Sequence, residues 1–120
     1  MTYESKNRGY FTMMGETPGV CVKALEREGA DVVGANCTLG SREMIPLAET
    51  IRHCTSLPVI IQPNAGKPRL KDGKTVYDQD PEEFAEDVQA MVEAGVNAVG
   101  GCCGTTPEFI SVLHSRLFAQ

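Results

Sequence analysis

Three short, apolar, β-branched runs stand out along the chain: Ala30-Asp31-Val32-Val33-Gly34-Ala35, Leu57-Pro58-Val59-Ile60-Ile61-Gln62 and Val96-Asn97-Ala98-Val99-Gly100-Gly101. Runs of this kind suit a parallel sheet covered on both faces. Between and after them, apolar positions recur at helical spacing. Phe84, Val88, Met91 and Val92 fall at i, i+4, i+7 and i+8, one apolar face. Asp80-Pro81-Glu82-Glu83 precedes that face with an N-cap, a proline at the first helical position and acids at the positive end of the helix. Thr106-Pro107-Glu108 predicts a second helix of the same design, with Ile110, Leu113 and Leu117 on one side. Thr17-Pro18 opens a third, with Val20, Cys21, Ala24 and Leu25 inward and Gly29 as its stop. A fourth is expected over residues 41–53, burying Met44, Leu47, Ala48 and Ile51, with Pro46 near the first turn where it does least harm.

The order is α-β-α-β-α-β-α. Helices alternating with parallel strands mean an α/β fold with right-handed crossovers. Residues 9–15 read as a loop with some extended character, and residues 65–80 as the longest loop, a length that in a compact domain often carries function. The 120 residues fit one domain and show no interdomain linker. No apolar run reaches the ~18–20 residues of a membrane span, and the N-terminus has no signal-peptide core. A cytoplasmic protein with no membrane partner is the expectation. Eleven Lys and Arg against 16 Asp and Glu give a net charge of −5. No basic stripe stands out, which argues against nucleic acid as a partner. Five cysteines, an odd number without an export signal, argue against a complete disulfide framework and for metal binding or redox chemistry.

An internal repeat sharpens that expectation. Gly29-Ala30-Asp31-Val32-Val33-Gly34-Ala35-Asn36-Cys37 aligns without gaps to Gly95-Val96-Asn97-Ala98-Val99-Gly100-Gly101-Cys102-Cys103. Cys37 and Cys103 therefore belong at equivalent points, just past the C-terminal ends of two strands that flank a third. Neighbouring strands lie roughly 4.8 Å apart. Two flanking cysteines could share a zinc ion, at Zn–S distances of about 2.3 Å, if their loops lean inward. Cys102 adds a third sulfur. Three protein ligands with an open fourth position is the pattern of a catalytic zinc. The glycines around Cys102-Cys103 permit close backbone approach. On chemistry alone a metal site, a redox pair and plain packing all remain open. Cys21 and Cys54 fall in helices and read as packing residues.

The same residues complete a known pattern. Val33-Gly34-Ala35-Asn36-Cys37-Thr38-Leu39-Gly40, Gln62-Pro63-Asn64-Ala65-Gly66-Lys67-Pro68 and Gly100-Gly101-Cys102-Cys103-Gly104-Thr105-Thr106-Pro107-Glu108 resemble the zinc-dependent homocysteine S-methyltransferase domain. The Pro-Asn-Ala-Gly loop and the Thr-Leu-Gly after the first cysteine bring it nearest the homocysteine-binding module of cobalamin-dependent methionine synthases. The resemblance covers nearly the whole chain, and its Gly-Gly-Cys-Cys-Gly-Thr-Thr-Pro string is highly specific. It implies a (β/α)8 TIM barrel in which Cys37, Cys102 and Cys103 bind one zinc ion (Zn2+) and the thiol of homocysteine takes the fourth position. The methyl donor implied is methylcobalamin on a corrinoid-binding domain or protein. Asn64 is the family position whose side-chain oxygen approaches the metal when substrate is absent, and it is the substrate-side candidate; a turn role before Gly66 is its simpler alternative. Asn36 is expected to brace the Cys37 turn.

Other polar residues have plainer readings. Thr106 is an expected N-cap, and Thr105 with the following helix start offers an anion site. His53 and His114 sit late in helices, where they suit the helix dipole. Tyr77 matches a tyrosine of the family's long loop and is expected to pack that loop down. Lys67, Arg69, Lys71 and Lys74 make the same loop basic, as a solvated face or toward an acidic partner domain.

A family barrel needs eight βα units and about 250 residues. The chain is expected to supply the C-terminal half only: residues 1–120 as one partial domain, the last three βα units preceded by a helix, with Met1-Thr2-Tyr3 as the tail of the fifth strand. A partial barrel exposes an apolar face and two sheet edges, which invite pairing. A homo-oligomer or a complementary half barrel is the expected partner, and methyl transfer is expected only of the completed barrel. A non-catalytic zinc-binding or assembly module derived from that barrel is the alternative. A phosphate-binding barrel piece, built on Gly100-Gly101 and the Thr106 helix start, would not need adjacent cysteines.

Overall fold

The computed structural model describes residues 1–119. In chain order the elements are β1 (Glu4–Lys6), β2 (Gly9–Phe11), α1 (Pro18–Arg27), β3 (Val33–Gly40), α2 (Ser41–Cys54), β4 (Val59–Asn64), β5 (Pro68–Lys71), β6 (Lys74–Tyr77), α3 (Pro81–Glu93), β7 (Ala98–Val99) and α4 (Pro107–Phe118). The three expected strands form a parallel sheet in the order β3-β4-β7. All four expected helices are present. The fold is thus α/β, with β4 at the centre of the sheet.

Helix starts follow the sequence signals. The Thr17 side chain accepts from the Val20 N–H at 3.3 Å, and the Asp80 carboxylate accepts from the Glu82 N–H at 2.8 Å. Thr106 holds the N-cap position of α4 but makes no side-chain cap bond. Gly29 ends α1 with φ +90°, a conformation that suits glycine. Met44, Leu47, Ala48 and Ile51 of α2 are fully buried, as their spacing predicts. Two inward assignments differ. Val20 of α1 and Ile110 of α4 are exposed, and Val22 and Phe109 are buried in their place. The rest of each face holds: Cys21 and Leu113 are buried, and Leu25 and Leu117 pack against the core clusters.

The sheet is covered on one face. Val33, Ala35, Val59 and Ile61 are buried with side chains of α1 and α2, while the alternate residues Gly34, Asn36, Ile60 and Gln62 are only partly covered. Among the described residues, the other face of the sheet carries no helix, although the apolar strand runs suit cover on both faces. A second cluster, Ala65, Phe84, Ala85, Val88, Phe109 and Leu113, joins α3 to α4. Phe84 and Phe109 meet edge to face with centroids 5.3 Å apart.

Two antiparallel hairpins replace regions expected as loops. β1 pairs with β2, and β5 with β6. Asp72-Gly73 turns the second hairpin with φ +51° and +74°, as a two-residue turn between antiparallel strands requires. Met1 runs beside β3: its carbonyl accepts from the Asn36 N–H at 3.0 Å, and its ammonium donates to the Gly34 carbonyl at 3.3 Å. Among the described residues, no helix is long and apolar enough to cross a membrane.

Candidate metal centre

β3 and β4 pair regularly from Val33↔Val59 to Asn36↔Gln62, then lose register until Gly40↔Asn64. Cys37 and Thr38 occupy that interruption, with φ of +64° and +67°. Two successive non-glycine residues in the left-handed region cost on the order of 1–3 kcal/mol each, and they persist only where the surroundings dictate them. The detour lifts the Cys37 sulfur out of the strand toward the neighbouring loops.

The segment after β7 is laced to the end of β4. The Cys102 N–H donates to the Pro63 carbonyl at 2.8 Å, and the Ala65 N–H donates to the Cys103 carbonyl at 3.0 Å. Between them the Cys103 N–H donates to Oδ1 of Asn64 at 3.0 Å. Asn64 is 3% exposed, so its side chain is a fixed part of this lacing rather than a mobile turn residue. Thr105 closes the turn by donating its hydroxyl to the Cys102 carbonyl at 2.8 Å. Its hydroxyl is therefore committed to the turn. The expected anion site at Thr105 and Thr106 has no further support.

These constraints bring the three predicted sulfurs together. The Sγ atoms of Cys37, Cys102 and Cys103 all lie within 4.8 Å of one another, and Cys37 and Cys103 are 3.6 Å apart. Sulfurs sharing a tetrahedral zinc at about 2.3 Å sit about 3.8 Å from each other, so the cluster has the dimensions of a three-thiolate site. Cys103 is exposed and the other two are half-buried, which leaves one side of the cluster open. Burial pushes the Cys37 thiol up, but hydrogen bonds from the Thr38 backbone, Cys103, Cys102 and Asn64 outweigh it and hold the group below its ordinary range. Burial pushes Cys102 up, and its hydrogen bond with Cys37 adds to the rise.

Tyr77 reaches the cluster from the β5–β6 hairpin. A Cβ added at Gly104 would lie 2.3 Å from Cγ of the Tyr77 ring, so the ring rests directly on that glycine. Desolvation pushes the Tyr77 phenol up, and the charge of Cys103 and a hydrogen bond with it push it further. Tyr77 thus packs its loop down, as expected, and does so against Gly104, the residue that follows the two cysteines. Asn36 makes no side-chain hydrogen bond among the described residues; the Cys37 turn is braced by backbone and by Asn64 instead. The Nδ1 atom of His53 meets the Glu49 carbonyl, well away from the cluster on α2, and Cys21 and Cys54 stay in helices.

A buried polar node went unread in the sequence. The Ser41 hydroxyl donates to Asp87 at 2.7 Å, Nε of Arg42 to the same carboxylate at 3.1 Å, and Nε2 of Gln79 to the Ser41 hydroxyl at 2.6 Å. One signal was present: Asp87 interrupts the apolar face formed by Phe84, Val88 and Met91.

Comparison with known proteins agrees with this geometry. Residues 1–117 match the family described as homocysteine S-methyltransferase. The methionine synthases of Mycobacterium leprae and Mycobacterium tuberculosis are each 39% identical over 102 residues, covering 82% of this chain and 8% of their own length. The chain therefore spans less than a tenth of those relatives. Among solved structures, the metallated homocysteine methyltransferase MmuM of Escherichia coli superposes with a TM-score of 0.66 at 24% identity, over 85% of this chain and 30% of that one. With the motif residues in place and the family matched over nearly the whole chain, this protein belongs to the homocysteine S-methyltransferase family.

Proposed function

We propose that the chain is the zinc-binding C-terminal half of a homocysteine S-methyltransferase barrel, and that Cys37, Cys102 and Cys103 are the zinc ligands of a methyl transfer to homocysteine. The observation that carries this is the convergence of three sulfurs, from strands on either side of β4, at the spacing of a tetrahedral site with one side open. When bound there, zinc lowers the pKa of a thiol, so that the homocysteine sulfur is a nucleophile at neutral pH.

The chain's own residues prepare that chemistry. Asn64 accepts the Cys103 amide on its buried side chain, so the end of β4 fixes the turn that carries two of the ligands. The left-handed Cys37-Thr38 pair aims the first ligand, and the turn closed by Thr105 aims the other two. Tyr77 of the hairpin rests on Gly104, directly after the two cysteines. The homocysteine thiolate then attacks the methyl carbon: the S–C bond forms as the bond between methyl and donor breaks, and the donor leaves with the electron pair. The resemblance to cobalamin-dependent methionine synthases favours methylcobalamin on a corrinoid-binding domain or protein as that donor.

The half-covered sheet favours a second reading, a zinc-binding assembly module without its own turnover. Zinc stoichiometry and the optical bands of a cobalt-substituted sample distinguish the two. About one zinc per chain, lost in Cys102→Ser, with cobalt bands that shift on adding homocysteine, is the expected result. Metal without a homocysteine response identifies the assembly module. No metal after purification under reducing conditions overturns both.

A further inference from the structure

The strained Cys37-Thr38 pair requires clamps on both sides. Upstream it has the ladder between β3 and β4, which ends at Asn36↔Gln62. Downstream it has one further rung at Gly40↔Asn64 and then the first residues of α2. Those residues, Ser41 and Arg42, both bind the carboxylate of Asp87 on α3: the Ser41 hydroxyl at 2.7 Å on Oδ2, and Nε and Nη2 of Arg42 at 3.1 and 3.0 Å on Oδ1. Asp87 is 3% exposed and Ser41 is fully buried, so the contact is built into the interior.

The same carboxylate holds the other flank of the sulfur cluster. Nε2 of Gln79 reaches both the Ser41 hydroxyl at 2.6 Å and Oδ2 of Asp87 at 3.3 Å. Gln79 lies two residues after Tyr77, where the hairpin returns to the body of the fold. Its backbone N–H donates to the Ala65 carbonyl at 3.4 Å, and Gly40 packs on Gly66 closely enough that an added Cβ would sit 3.1 Å from the Gly66 Cα. One carboxylate side chain therefore ties the Cys37 segment and the Tyr77 segment to each other. Hydrogen bonds to a charged acceptor are about twice as strong as neutral ones. A carboxylate with several oriented donors also fixes direction, which an apolar contact at this place would not.

We propose that Asp87 is a positioning residue of the metal centre: it touches none of the sulfurs, and it sets the Cys37 turn and the Tyr77 strap in register with them. This rests on the zinc reading above. Its test compares Asp87→Asn, which keeps the shape and removes the charge, with Val88→Ala, which opens a cavity one position along the same helix. Two quantities are read on the full chain: zinc affinity by competition with a chromophoric chelator, and hydrogen exchange of residues 37–42 and 77–80 in the metal-free form. Asp87→Asn is expected to lower zinc affinity about 10- to 100-fold, as loss of supporting contacts does at other metal sites. It is also expected to speed exchange in those two segments together. Val88→Ala is expected to lower the melting temperature while leaving both readouts near wild type. Equal effects of the two variants, or exchange in the two segments unchanged by Asp87→Asn, overturn the inference even if the native chain binds zinc and responds to homocysteine. A native chain that binds no zinc overturns the zinc reading and the positioning of a metal centre with it, whatever the exchange shows.

Discussion

Asn64 illustrates how one side chain can join two strands. Its oxygen accepts the Cys103 amide at 3.0 Å, which ties the end of β4 to the turn after β7. A backbone amide left unpaired in the interior costs about 1–3 kcal/mol. Asn64→Ala should therefore loosen the Cys102-Cys103 turn and lower zinc affinity about 10- to 100-fold, measured by chelator competition. Gly104→Ala tests the neighbouring contact. The new methyl would collide with the Tyr77 ring at a backbone φ of +81°. The expected outcome is a loss of about 1–3 kcal/mol in stability, read by urea unfolding, with the hairpin displaced from the sulfurs.

Helices and strands divide into those written in apolar periodicity and those written in turn chemistry. α2 and α3 declare themselves because four or more apolar residues share one face and end up fully buried. Phe84 anchors the α3–α4 contact, and Phe84→Ala should cost about 3–5 kcal/mol in urea unfolding, because little around its edge-to-face partner Phe109 can collapse into the space. The phase of α1 and α4 was harder to read. Both helices carry apolar residues on more than one side, and only the position of the sheet decides between Val20 and Val22, or between Ile110 and Phe109. The β5–β6 hairpin was legible in principle from Asp72-Gly73, but its strands are exposed and charged and carry no alternation that separates them from a loop. The cysteine cluster was legible because the repeat places Cys37 and Cys103 at equivalent strand ends. The Asp87 node was not: its donors come from two segments distant from α3 in the chain, and no spacing in the sequence connects them.

The whole molecule is a slab, 42 × 40 × 23 Å, because helices cover the β3-β4-β7 sheet on one side only. Gly34, Asn36, Ile60 and Gln62 line its open face, and Met13, Met14 and Val20 leave further apolar surface exposed beside α1. Surfaces of this kind pair. Gel filtration of the chain alone should show self-association, and addition of a complementary half barrel should convert it to a one-to-one complex; a well-folded monomer at all concentrations would count against both. The placement of the sulfurs ties their meeting to the pairing of the sheet. Cys37 and Cys103 stand on opposite sides of the central strand, so the two can meet only while β4 stays paired to both neighbours. Any local opening of that strand separates them. With zinc held as proposed, its occupancy depends on β4 staying paired to both neighbours.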